Sequence, residues 1–137
     1  MKKYPTLSDQ MATRIRRKKA LVFLRADFAD LGSYEQVGRV LRAFVSQGKL
    51  IKIGYGLYAK AKPSALTGEI VPIAPLPTLA IAALARLGIK TAPSRLETAY
   101  QAGQTRQVPT GRLIAVQRRV RRKIGWGGAC IYFEPAT

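Results

Sequence analysis

The 137-residue chain predicts an α+β fold in two parts. Three observations carry that expectation: a helical apolar repeat at residues 37–45, a glycine-bounded strand pair directly after it, and a proline-rich stretch near mid-chain beyond which helical and extended segments resume. Apolar residues make up 47% of the chain, the composition of a globular protein with a core.

The first helix is expected to begin near Ser8 in SDQMATRIRRKK. Ser8 suits an N-cap and Asp9 suits the positive helix end. Leu7, Met11 and Ile15 give it a narrow apolar stripe, while Arg14, Arg16, Arg17, Lys18 and Lys19 make its second half basic. ALVFL, residues 20–24, is an apolar run with the length of a short buried strand. RADFADLG then offers a short helix with Phe28 and Leu31 inward and Gly32 at its end.

The strongest helical pattern is SYEQVGRVLRAFVSQG. Val37, Val40, Leu41, Phe44 and Val45 fall at i, i+3, i+4, i+7 and i+8, the spacing of one buried stripe. Ser33 with Gln36 fits a capping box, and Gly48 fits the left-handed position past the helix end. Tyr34, Glu35, Gln36, Arg39, Arg42, Ala43 and Gln47 are left for the outer face. GKLIKIGYGLYAK follows at once. Ile51 and Ile53 alternate with Leu50 and Lys52, and the glycines around Tyr55 suit a tight turn. The order is helix, strand, short helix, helix, hairpin. That is the order of a winged helix-turn-helix, expected over residues 1–62.

Residues 63–77, with KPSALTGEIVPIAPLPT spanning the junction, read as a proline-rich, extended connector. Residues 78–137 are expected to form a small α+β domain. Thr78 would cap a largely buried helix running to Leu87, and Ser94 with Glu97 a second helix ended by Gly103. RLIAVQ, VRRKI and GACIYF read as strands, a small sheet with two helices on one face. Cys130, on the last of these, reads as a packing residue, and a single cysteine excludes an intramolecular disulfide framework.

Charge decides the class of partner. The chain holds 24 Lys and Arg against 7 Asp and Glu, a net charge of +17. Such a chain repels itself unless a polyanion is near, and nucleic acid is the natural counterpart. The longest uncharged stretch, IVPIAPLPTLAIAALA, has sixteen residues, short of the roughly 20 a spanning helix needs. No membrane partner is expected. MKKY is not followed by the apolar core of a secretion signal, so a cytoplasmic location is expected. With no histidine and scattered carboxylates, no catalytic group, metal site or cofactor is expected, and the chain reads as a non-enzyme.

Double-stranded DNA is therefore the expected ligand. The helix from Tyr34 would enter the major groove, with Ser33, Tyr34, Gln36, Arg39 and Arg42 as its DNA-binding residues. Gln pairs bidentately with adenine and Arg with guanine. Lys52, Tyr55 and Lys60 would contact the backbone from the wing, with Tyr58 a further hydroxyl donor. Arg16, Arg17, Lys18 and Lys19 would supply phosphate contacts from the first helix. Arg118, Arg119, Arg121, Arg122 and Lys123, beside Trp126, form a second candidate nucleic-acid patch, in which phosphate contact and aromatic stacking would combine. A solvated basic strand with Trp126 packed on the sheet is the competing reading of that segment.

LVFLRADFADLGSYEQVGRVLRAFVSQGKLIKIGYGLYAKAK resembles the N-terminal winged-helix region of the AbiEi-like antitoxins and their short transcriptional-regulator relatives. The similarity rests on Val22-Phe23, Asp27-Phe28, Leu31-Gly32-Ser33, Val37, Leu41, Gly48, Ile51 and Gly56-Leu57-Tyr58. It continues through Pro93-Ser94 and Gln107-Val108-Pro109. The resemblance implies a bacterial, operator-binding repressor, and in the longer members an antitoxin opposing a nucleotidyltransferase-type toxin in a type IV toxin–antitoxin pair. Tyr55 stands where such proteins more usually carry arginine, which removes one phosphate contact. A cognate toxin is the further partner the resemblance implies, and recognition by a homodimer at an inverted repeat is a separate expectation. Two other readings stand beside the regulator: a protein-interaction module that holds a toxin through its second half, and an RNA-binding protein using residues 118–126.

Overall fold

The computed structural model describes residues 4–136 of a mixed α+β chain. Lys2 and Lys3 of the MKKY stretch lie outside the described residues, as does Thr137. The chain divides into two compact units. One comprises the described residues up to Lys52 together with Gly56–Ile73, and the other Ile53–Tyr55 together with the chain from Ala74 onward.

In the first unit, helix α1 (Leu7–Arg17) starts one residue before the expected cap. Thr6, not Ser8, is the N-cap. Its hydroxyl accepts from the Asp9 amide at 3.1 Å, and the Asp9 carboxylate accepts from the Thr6 amide at 3.0 Å. The reciprocal Thr-x-x-Asp pair satisfies two otherwise orphaned amides, which Ser8 inside the first turn cannot do. Strand β1 (Val22–Leu24) is shorter than the apolar run that announced it. The expected short helix is a single 3-10 turn, Arg25–Phe28, with Phe28 buried. Helix α2 (Tyr34–Ser46) matches its pattern closely: Ser33 and Gln36 form the capping box, and Gly48 takes φ +76°.

Strands β2 (Leu50–Gly54) and β3 (Leu57–Pro63) follow, with Gly56 at φ +68° in the turn. The sheet runs β1-β3-β2, and β1 is antiparallel to β3 with Phe23 opposite Tyr58. The expected connector is partly structured. Ile70–Pro72 forms strand β4, antiparallel to β3, with Pro72 opposite Ala61. Proline survives there because it lies at the strand's end, where its missing donor is tolerated. Met11, Phe23, Phe28, Val37, Leu41, Phe44, Leu50 and Tyr58 form the core of this unit. Burying a large apolar side chain of this kind contributes about 1.5–3 kcal/mol, so the core fixes which side of α2 faces out.

In the second unit, helix α3 (Leu76–Arg86) begins two residues before Thr78, with Pro75 as N-cap. Pro77 sits in the first turn, where the absent N–H has no helical acceptor to miss. Leu79, Ala80, Ala83 and Leu84 are buried while Ile81 is exposed, so one side is buried rather than the whole circumference. Strand β5 (Thr91–Pro93) was not expected; helix α4 (Arg95–Gln101) was, with Ser94 as its cap. Strands β6 (Leu113–Val116) and β9 (Tyr132–Pro135) pair in parallel, and β5 adds antiparallel to β6. Parallel neighbours need a crossover between them, and residues 117–131 supply it. VRRKI is therefore not a strand. The crossover instead carries a small hairpin, β7 (Gly125–Trp126) with β8 (Ala129–Cys130), and GACIYF is split at the buried Ile131.

Candidate nucleic-acid interface

The outer side of α2 follows from its core side. With Val37, Leu41 and Phe44 buried, Glu35, Gln36, Arg39 and Arg42 project from the exposed surface. Ser33 and Gln36 are already engaged. The Ser33 hydroxyl accepts from the Gln36 amide at 3.2 Å, and Gln36 Oε1 accepts from the Ser33 amide at 3.0 Å. Gln36 thus spends its oxygen on the cap and keeps its NH2 group as a donor, so the bidentate adenine pairing expected of it conflicts with the capping box. Tyr34, at 63% exposure, opens the helix.

Arg25 is the residue the sequence reading missed. Its guanidinium carbon lies 3.3 Å from the Tyr34 ring centroid, and its Nε donates to the Tyr34 carbonyl at 3.0 Å. The available signal was Gly38, a glycine within α2 where alanine would favour the helix by about 1 kcal/mol. A Cβ there would run into the Arg25 guanidinium.

At the end of α1, Arg16, Arg17, Lys18 and Lys19 are exposed, as the sequence suggested. Arg14 is withdrawn from that basic run. Its two terminal nitrogens donate to the Asp30 carboxylate at 2.6 and 2.8 Å, and Nη1 also donates to the Asp27 carbonyl at 2.9 Å. Those bonds hold the Asp30 carboxyl down at about 2, well below the ordinary carboxylate range, and raise the Arg14 guanidinium correspondingly. Asp9 is lowered by the amide and hydroxyl of Thr6.

The strand pair divides the expected wing residues. Lys52 is exposed, as is Tyr55 at 75%. Lys60 turns inward: Nζ donates to the Lys18 carbonyl and lies 5.8 Å from the Phe23 ring centroid. Tyr58 is 5% exposed and belongs to the core, which removes its ring from any surface role.

In the second unit the basic segment also separates by task. Arg118 Nη2 donates to the Leu87 carbonyl at 3.1 Å and to that of Gly88 at 3.4 Å, satisfying acceptors left open where α3 ends. Arg122 Nη1 donates to the Tyr55 carbonyl at 2.9 Å, both residues lying within this unit. Arg119, Arg121 and Lys123 are exposed, and Trp126 is 37% exposed beside the buried Ile124. Cys130 is exposed rather than packed. The neighbouring Cys130 thiol raises the Tyr132 pKa, through hydrogen bonding first and charge second. The short β8 strand leaves it on an uncovered surface. Glu134, on β9, accepts from the Arg95 amide at 2.7 Å and so ties that strand to the start of α4.

Among the described residues no cluster of acidic or cysteine side chains could hold a metal ion. No helix among them is long and apolar enough to cross a membrane.

The molecule is thus an α+β chain of two units, each presenting exposed basic side chains. The model of DUF6088, a family of unknown function, matches residues 10–137, and the chain belongs to that family. No curated protein and no solved structure matches it.

Proposed function

We propose that the first unit is a winged helix-turn-helix and that the protein is a sequence-specific, double-stranded-DNA-binding transcriptional repressor acting in the cytoplasm. The observation that carries this reading is α2 itself: a doubly capped helix, buried on one side, that presents Arg39 and Arg42 outward. The element order and the β1-β3-β2 sheet support it, as does the resemblance to the AbiEi-like antitoxins. Arg39 reads a guanine edge, Arg42 a base or phosphate, and Tyr34 the groove at the helix start. Arg16, Arg17, Lys18, Lys19 and Lys52 neutralise phosphates. Lys60 serves the fold rather than the backbone contact, since its ammonium is bonded to Lys18.

Base contacts and phosphate contacts separate by mutation. Arg39→Ala relaxes sequence preference, lowering affinity for the preferred duplex by about 1–3 kcal/mol while barely changing affinity for a random one. Lys52→Ala weakens both duplexes alike and reduces the salt slope by about one. Electrophoretic titrations of both variants on both duplexes check this. Equal losses for Arg39→Ala on the two duplexes contradict the assigned role.

A second reading rests on the exposure of Trp126 beside Arg119, Arg121 and Lys123. This arrangement suits single-stranded RNA, where bases stack on aromatic side chains. Tighter binding of single-stranded RNA than of duplex DNA by the full chain, lost in Trp126→Ala, would favour it. The toxin-binding reading calls for a partner protein that co-purifies with the chain.

A further inference from the structure

We propose that Arg25 is a specificity-determining positioning residue: its guanidinium, seated on the Tyr34 ring and admitted by the missing side chain of Gly38, fixes the start of α2 for base readout. The inference rests on the reading of α2 as the DNA-contacting helix.

Three separate features meet at this guanidinium. It lies over the Tyr34 ring at 3.3 Å from the centroid, well inside the roughly 6 Å range of cation–π attraction. Its Nε donates to the Tyr34 carbonyl at 3.0 Å, and Nη2 donates to the same oxygen. One helical turn further on, a Cβ built at Gly38 would overlap Cζ and Nη2 and lie 2.9 Å from Nη1. Gly38 is not among the positive-φ glycines, so its backbone makes no demand for glycine. The space does.

Arg25 also belongs to the 3-10 turn whose Phe28 is anchored in the core. The clamp therefore joins a fixed turn to the first residue of α2. Tyr34 is 63% exposed, and an exposed aromatic ring ordinarily samples several rotamers. A ring held on one face by a planar cation has less freedom to lose when its other edge meets a base. Lysine would keep the charge but has neither the planar fork nor the stacking surface. The geometry thus requires arginine at position 25 and glycine at position 38 together.

The test starts from the duplex that the full wild-type chain selects from a random DNA pool. Affinities for this duplex and for its scrambled counterpart are then measured for wild type, Arg25→Ala, Arg25→Lys, Gly38→Ala, Tyr34→Ala and Arg25→Ala/Tyr34→Ala. Circular-dichroism melts establish that each variant folds. The preference ratio is expected to fall about tenfold in Arg25→Ala, the order of a direct side-chain coupling. Arg25→Lys and Gly38→Ala should lose as much, with scrambled-duplex affinity in Arg25→Lys within about twofold of wild type. The double variant should be no worse than the worse single one, as expected of residues acting as a unit. Full preference in Arg25→Lys, equal losses on both duplexes, or additive effects in the double variant would overturn the role of Arg25 and leave the DNA-binding reading standing. A wild-type chain that selects no sequence would overturn both.

Discussion

Arg14 and Asp30 show what one ion pair does on a surface this basic. The guanidinium grips both carboxylate oxygens, and that hydrogen bonding holds Asp30 near 2. A carboxylate lowered on folding contributes stability above its unfolded value, and the contribution disappears as the pH falls through the folded one. The window for Asp30 runs from its ordinary value of 3.8 down to about 2. Asp30 is 62% exposed, so solvent screening keeps the effect small. Thermal melts should show wild type losing stability more steeply than Asp30→Asn across that window. Equal slopes for the two proteins would contradict the account. This pair was hidden in the sequence, because its members are sixteen residues apart and Arg14 sits in a run of cations. The same applies to Tyr58 and Lys60, whose expected surface roles give way to the core and the Lys18 carbonyl, whereas the capping box that engages Gln36 was legible in the sequence. The exposure of Arg39 and Arg42 was legible too, because it follows from the period of the buried residues on the same helix.

At the scale of elements, local signals were readable and distant ones were not. Helix α2 announced its start, end and buried side within sixteen residues. Helix α1 was read from the wrong cap because Thr6 and Ser8 are both competent, and only the bond to Asp9 decides between them. Strand β5 and the parallel β6–β9 pair depend on partners far along the chain, which no local period encodes, while β4 is a three-residue strand in a proline-rich stretch, too short to show a period of its own. VRRKI, apolar only at its two ends, lies outside every strand and belongs to the crossover between β6 and β9. Gly48 offers the sharpest test at this scale. It takes φ +76° at the end of α2, and a Cβ there would lie 2.8 Å from Ile70 Cγ1 on β4. Left-handed backbone at a non-glycine residue costs on the order of 1–3 kcal/mol, and the Ile70 contact adds to it. Gly48→Ala should therefore lower the urea midpoint by an amount corresponding to at least about 1 kcal/mol. An unchanged midpoint would mean that the turn and β4 relax without cost.

For the whole molecule, the dominant quantity is the net charge of +17. Such a charge favours association with phosphate polymers at low salt on general electrostatic grounds and says nothing about sequence. Each neutralised phosphate contributes about −0.9 to the slope of log affinity against log salt on duplex DNA. In the proposed regulator, α2 adds base readout to this general attraction. The most direct test compares the DNA upstream of the chain's own gene with a scrambled duplex of equal length and composition, using the full chain across a salt series. Both affinities are expected to fall steeply with salt while a preference of about a thousandfold or more persists near physiological ionic strength. Equal affinities that collapse together would contradict the proposed readout, leaving a protein that grips phosphate without reading sequence.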